Sequence, residues 1–260
     1  MRITIIGSGN VATHLAAAFK NAGHHIVQVY SRDIQHASLL AYHVKAAPID
    51  NLDNIDPDTD LFLVAVKDDV IAEIARELAR HNKLIAHTSG ATSIGTLLKY
   101  TSNAGVFYPL QTFSKTKEIN FRTVPLCIEG ANDAVTLQLE ALARTVSNNV
   151  YRVDSEKRKV LHLAAVFACN FPNYLYYAAS QLLQQHHLDF NLLRPLILET
   201  AEKVQEHLPA DVQTGPAIRN DEKTMAAHLQ LLAGNPDLQA VYEQLSQLII
   251  KMDNGRHGGA

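Results

Sequence analysis

The chain has 260 residues, 47% of them hydrophobic and 19% charged, which is enough for one large or two ordinary domains. Its 23 basic and 26 acidic residues give a net charge of −3 with no basic block, so no electrostatic footprint for nucleic acid or an anionic membrane is visible. No apolar run approaches the ~20 residues that span a bilayer, and two cysteines far apart in apolar stretches, Cys127 and Cys169, argue against a disulfide and for a reducing cytoplasm.

The first element is the apolar run Ile3-Thr4-Ile5-Ile6, entered within two residues of the start, which predicts no leader segment. It runs into Gly7-Ser8-Gly9-Asn10-Val11-Ala12. A buried strand that stops on a Gly-x-Gly turn and opens a helix is how α/β domains hold a dinucleotide pyrophosphate. Gly7 permits the tight turn, Gly9 lets backbone approach the phosphates, and Ala12 takes the close-packing position. The first-turn amides and the positive end of the helix dipole then face the anion. Residues 11–22 follow as an amphipathic helix, and 25–30 alternate as a second strand. That strand ends at Ser31-Arg32, with the first acid, Asp33, only after the arginine. An acid at the strand end binds the ribose 2′-hydroxyl of NAD, whereas a guanidinium pairs with the 2′-phosphate of NADP. The expected cofactor is therefore NADP, with a solvated loop arginine as the bland alternative.

Further along, the continuous apolar run 61–66 predicts a central parallel strand covered on both faces. A helix over 68–81, a strand over 84–88 ending at Ser89-Gly90, a short helix over 94–100 and a strand over 105–108 continue the alternation. Strands at 124–128 and 150–153 flank a helix over 132–146. The fold class expected is α/β, a Rossmann-like doubly wound sheet with right-handed crossovers. The pattern changes at Asp154, after which almost everything reads as helix: 156–187, 191–208, 221–233 and 237–252. The expected division is a Rossmann-like domain at 1–153 and an all-helical substrate and dimerisation domain at 154–260. Pro172 predicts a kink or break near Phe171, and residues 254–260 read as a frayed tail.

In an open α/β sheet the ligand lies beyond the carboxyl ends of the strands. This makes Ala65, Val66 and Lys67 candidates for the ribose side, and His87, Thr88 and Ser89 for the nicotinamide end, beside Gly7, Ser8, Gly9, Asn10, Val11, Ser31 and Arg32. Tyr108 and Gln111 follow another strand and are candidate substrate contacts. Ser89-Gly90 reads equally well as a plain turn. Thirteen histidines are present, but His24-His25 and His186-His187 lack helical i,i+4 spacing and a cysteine cluster, so no metal site is expected.

On these residues the first half resembles the NADP-binding domain of pyrroline-5-carboxylate reductases, deazaflavin-dependent NADP reductases and the 6-phosphogluconate dehydrogenase superfamily. The carriers are Gly7-x-Gly9-x-x-Ala12, Ser31-Arg32, the 64–68 segment and the strand end His87-Thr88-Ser89-Gly90. The chain from residue 1 to about 250 is similar to a bacterial group that joins this domain to a helical domain of unknown function. That closer likeness rests on Tyr108-Pro109-Leu110-Gln111-Thr112-Phe113, the stretch 162–171, and the stretch 214–221. The resemblance implies a helical domain like the C-terminal one of 6-phosphogluconate dehydrogenases, interlocked as a homodimer. It also implies that the long helix after the nucleotide domain meets the nicotinamide pocket.

That helix carries His162 and Asn170 where relatives often place a lysine. In projection His162 and Asn173 fall within about 20° of each other, on a helix whose apolar flanks predict burial nearly all round. His162 is the candidate proton donor, since histidine ordinarily titrates near neutrality, with Asn170 beside it. The alternative is a satisfied core histidine with Asn170 bonding backbone. Arg219 either holds a substrate carboxylate or phosphate or pairs with an acid across a subunit boundary, and Asp221 is read as the cap of the helix that follows. The function expected is reduction of an imine or carbonyl of a small polar metabolite by NADPH in the interdomain cleft. The alternative is a non-catalytic NADP(H)-binding sensor or scaffold, favoured if His162, Asn170 and Arg219 fail to converge on an accessible pocket.

Overall fold

The computed structural model describes residues 1–257. In chain order, β1 (Arg2–Ile6) passes through the glycine turn into α1 (Asn10–Asn21), followed by β2 (His25–Tyr30), α2 (Ile34–Val44) and β3 (Ala47–Ile49). The alternation continues through β4 (Leu61–Val64), α3 (Ile71–Leu78), β5 (Leu84–His87), α4 (Gly95–Leu98) and β6 (Ala104–Pro109). β7 (Leu126–Gly130), α5 (Asp133–Val146) and β8 (Val150–Arg152) complete the sheet, and α6 (Ser155–Ala165) follows. By packing, the chain divides into two compact units, residues 1–171 and 172–260.

In the first unit the eight strands form one sheet in the order β3-β2-β1-β4-β5-β6-β7-β8. β1 to β6 are parallel, while β7 runs antiparallel to β6 and β8 runs with β7. The reversed pair corrects the plain β-α alternation read from sequence. Between β6 and β7 only a 3-10 turn at Phe121–Thr123 interrupts the loop, so there is no crossover helix to return the chain to the parallel direction. Also absent from the sequence reading were α2 and β3. Their signals were present: Ala37, Leu40, Ala41 and Val44 are buried at helical spacing, and the Asp33 carboxylate caps α2 by accepting the Gln35 N–H at 2.8 Å.

Side chains alternate along each strand, so the sheet has a core on either face. Ile3, Ile5, Leu61 and Leu63 pack with Leu15 and Phe19 of α1, Leu40 of α2 and Leu139 of α5. Ile6, Phe62, Val64 and Ile85 pack with Ile71 and Leu78 of α3 and Leu97 of α4. All four residues of β4 are buried, as its unbroken apolar run requires. The strand ends at Val64, which leaves Ala65 and Val66 in the loop beyond it. From β1 the chain steps to β2 and β3 on one side and, through β4, to β5 and β6 on the other. The switch point, where such sheets open a crevice, therefore lies beyond the ends of β1 and β4.

α6 does not continue directly into the next helix. Val166–Asn170 forms one π turn before α7 (Phe171–Gln185). Pro172 lacks an N–H, and its ring would strike the carbonyl four residues earlier. A wider turn just before it accommodates both. The inserted turn means that the straight helix assumed in projecting Asn173 beside His162 is not what forms here. Burial all round is corrected as well: Leu163, Phe167 and Phe171 are 57%, 63% and 49% exposed in the single chain.

The second unit is helical. After α7 come α8 (Arg194–Glu206), α9 (Glu222–Leu231) and α10 (Pro236–His257). Asp221 caps α9, accepting the Thr224 N–H at 3.0 Å and its hydroxyl at 2.7 Å. α10 carries residues 254–257 into regular helix where a frayed tail was expected, and the rest of that tail lies outside the described residues. Among the described residues no helix is long and apolar enough to cross a membrane.

Candidate active site

The first unit holds a cleft of about 870 Å³ beyond the ends of β1 and β4. One end is built by the glycine turn. Gly7 has φ +123°, and a Cβ there would sit 2.2 Å from the Ala65 carbonyl oxygen, so no other residue fits without moving β4's end. Gly9, by contrast, has open space where a Cβ would point. It is the N-cap of α1, no side chain satisfies the amides there, and the first turn carries no acid. Uncapped amides facing open space at a helix start are an anion cradle, and a dinucleotide pyrophosphate fits it.

Beside the cradle, the Ser8 hydroxyl donates to the Ser31 hydroxyl at 3.2 Å, and Ser31, Arg32 and His36 line the cleft. Asp33, the first acid after the strand, also lines the cleft; it caps α2 by accepting the Gln35 N–H, and its carboxylate lies 3.5 Å from His36 Nδ1. Arg32 is exposed and makes no ion pair among the described residues. Ala65, Val66 and Lys67 after β4 form the opposite wall, with Asp68 next to them.

At the far end Thr88, Ser89, Gly90, Tyr108, Gln111 and His162 meet. The Ser89 hydroxyl donates to Asp68 at 2.8 Å and accepts the N–H groups of Ala91 at 3.1 Å and Thr92 at 2.9 Å. It therefore holds the loop after β5 in a tight turn while lining the cleft. His162 Nδ1 lies 3.2 Å from the Tyr108 hydroxyl, with the rings edge to face. Burial pushes the Tyr108 hydroxyl up to about 12, only partly offset by the nearby Arg158 guanidinium. Gly90 is pressed against this pair: a Cβ there would lie 2.8 Å from both His162 Nδ1 and Tyr108 Cζ.

Fully buried Arg158, one turn before His162 on α6, holds the arrangement from below. It donates to the Glu129 carboxylate on β7, to the Thr92 carbonyl and to the Ser155 hydroxyl, and Ser155 in turn donates to Glu129 at 2.8 Å and accepts the Ile94 N–H at 2.9 Å. One cation thus ties α6, β7 and the loop after β5 together.

Of the residues read from sequence, the cleft gathers Gly7 to Val11, Ser31, Arg32, Ala65 to Lys67, Thr88, Ser89, Tyr108, Gln111 and His162. His87 lies fully buried rather than on the surface of the cleft. Asn170, in the π turn, is exposed and does not line it. Asn173 and Arg219 belong to the second unit and are exposed there. Asp68 and Gly90 close two strand-end segments that the sequence marked as ligand-facing, whereas His36 and Arg158 were missed as site residues. The Ser-Gly turn flagged Gly90, whereas nothing local marks Arg158, because its carboxylate partner stands 29 residues away.

A mostly parallel sheet with this glycine turn at its switch point defines a Rossmann-like protein, and the Rossmann-like domain family matches residues 1–111. A domain of unknown function, DUF2520, matches residues 124–249. A candidate NADP oxidoreductase from Bacteroides fragilis is 43% identical over 96% of this chain and 98% of its own, with a TM-score of 0.92. This chain belongs to the family of that protein, which joins a Rossmann-like domain to a DUF2520 domain. An imine reductase from Myxococcus stipitatus, solved with NADP+, is 16% identical over 100% of this chain and 95% of its own, at a TM-score of 0.66. A pyrroline-5-carboxylate reductase from Coxiella burnetii is 16% identical over 97% of each chain, at 0.57. These two likenesses concern the fold alone. No curated protein matches the chain.

Proposed function

We propose that the protein is an NADP(H)-dependent oxidoreductase that reduces an imine or carbonyl of a small polar metabolite. The observation that carries this reading is the Tyr108–His162 pair at one end of a cleft whose other end is an anion cradle. The B. fragilis relative, described as a candidate NADP oxidoreductase, supports the cofactor. The pyrophosphate would lie on the amides of Gly9 to Val11, and the 2′-phosphate against Ser31 and Arg32, whose guanidinium makes no ion pair among the described residues. NADPH, when bound, supplies the hydride.

The chain's own work is to hold the acceptor and deliver a proton. Protonated His162 donates Nδ1–H to the Tyr108 oxygen, which burial keeps as a neutral phenol at ordinary pH. The proton on Nε2 then passes to the substrate oxygen or nitrogen as hydride reaches its carbon, leaving a neutral imidazole still held through Nδ1. Gln111 and Ser89 supply polar contacts for the substrate and the nicotinamide amide. The convergence of His162, Asn170 and Arg219 that would separate an enzyme from a sensor is not met, since only His162 lines the cleft; the catalytic reading is supported by His162 alone, through its place on the cleft wall beside Tyr108. Homodimerisation in the cytoplasm is part of the same proposal, supported by the exposed apolar face of Leu163, Phe167 and Phe171.

The test is NADPH consumption against a panel of small cyclic imines and ketones. His162→Ala is expected to lower turnover by about 10²–10⁴-fold with NADPH binding intact. Turnover retained in that variant would rule out His162 as the proton donor.

A further inference from the structure

The segment that joins β6 to the 3-10 turn at Phe121–Thr123 carries most of the Tyr108-to-Phe113 motif, yet the cleft uses only its start. Residues 110–120 have no regular secondary structure. A connection of that length in a compact domain is commonly a functional loop. Gln111 at its beginning lines the cleft, and residues 114–118 are exposed.

This strap is fastened to α1. Asn10 Nδ2 donates to the Phe113 carbonyl at 2.8 Å, and His14 Nε2 donates to the Ser114 carbonyl at 2.9 Å. A carbonyl only accepts, so His14 carries its hydrogen on Nε2. Asn10 and His14 stand four residues apart and share one face of α1. The Phe113 ring packs 5.0 Å from the His14 ring and 6.1 Å from that of Phe121. Within the strap itself the hydrogen bonds are few and local, such as Ser114 to Thr116 at 2.8 Å. Its start is fixed by the Leu110 N–H donating to the Pro125 carbonyl at 2.9 Å and by Leu110 and Phe113 packing on the core, while its middle is fastened to α1's first turns, the same turns whose amides form the anion cradle. Asn10 belongs to both: its backbone opens the helix and its side chain holds the strap. The strap also carries Lys115 and Lys117, exposed and without an ion pair among the described residues.

We propose that residues 110–118 are a strap that closes on a dinucleotide's pyrophosphate, with Asn10 and His14 as positioning residues that pass occupancy of the glycine turn to Gln111. The inference rests on the dinucleotide reading above. An anion on the cradle satisfies the amides of α1's first turn and stiffens it. It also attracts the two lysines of the strap, through a field that ordinary salt screens over about 10 Å. Residues 114–118 are exposed and, among the described residues, are held to the rest of the unit by the His14 bond, so this part of the strap opens readily until that happens.

Limited trypsin digestion reads this out at Lys115, with NADPH binding followed separately by fluorescence of the reduced nicotinamide. Saturating NADPH is expected to slow cleavage after Lys115 at least ~10-fold (about 1.4 kcal/mol by the usual conversion). Adenosine 2′-monophosphate, which reaches the Arg32 end but brings no pyrophosphate, is expected to leave cleavage unchanged. His14→Ala is expected to bind NADPH yet lose the protection, and His14→Gln, whose amide can donate to the same carbonyl, to regain it. Unchanged cleavage with NADPH demonstrably bound, or full protection surviving in His14→Ala, would overturn the strap and leave the cofactor reading standing. No NADPH binding at all would overturn the cofactor reading and the strap with it.

Discussion

His87 shows how much a single buried side chain can say. It ends β5 with no exposed surface, its Nδ1 accepts the Ser89 N–H at 3.2 Å, and its Nε2 has no partner among the described residues. Burial first, and then the Arg158 charge, hold its pKa down to about 3, with the Ser93 backbone pulling weakly the other way. The neutral ring is therefore part of the folded state. An unfolded chain protonates His87 near pH 6.5, so between that value and about 3 the unfolded state binds the extra proton. Stability from this group is complete above pH 6.5 and declines as pH falls, by a few kcal/mol in order of magnitude. The thermal midpoint should fall less steeply from pH 6.5 to 4.5 in His87→Asn than in the parent. Parallel slopes would mean that His87 titrates in the folded protein. From sequence His87 read as a strand-end contact for the nicotinamide, because a period-2 pattern does not show which strand-end side chain is sealed beneath the following loop.

At the scale of elements, α6 is where local reading and long-range packing part company. The strands other than β3, the glycine turn, the Asp221 cap and the disruption before Pro172 were legible because each is written within a few neighbouring residues. The reversal of β7 was not, because direction in a sheet depends on how the chain returns, which a period-2 pattern does not encode. Nor was Arg158, a charged residue in a helix that otherwise reads as amphipathic. Its place below the cleft is set by Glu129 on β7 and by the Thr92 carbonyl. Removing one member of a buried ion pair strands the other, at a cost of ~3–5 kcal/mol. Arg158→Met should therefore lower stability toward urea by ~3 kcal/mol. Adding Glu129→Gln should recover part of that loss by removing the stranded carboxylate. A loss under ~1 kcal/mol would mean that the pair does not hold α6 to the sheet.

For the whole molecule, the cleft of the first unit was legible in outline. The strand ends named from sequence meet there because a doubly wound sheet brings them to one edge. The second unit gave much less. Asn173 was singled out by a straight-helix projection and Arg219 by its charge, and the π turn before Pro172 removes the straight helix that the projection assumed. What the fold and family leave to experiment is whether the cradle and Arg32 select a phosphorylated dinucleotide. The direct measurement is a paired titration of NADPH and NADH against the wild type and Arg32→Ala. The account predicts that the wild type binds NADPH at least ~10-fold more tightly, the size of one charge-assisted phosphate contact, and that the preference collapses in Arg32→Ala with NADH affinity unchanged. Equal or tighter binding of NADH by the wild type, or an NADPH preference that survives the substitution, would contradict it.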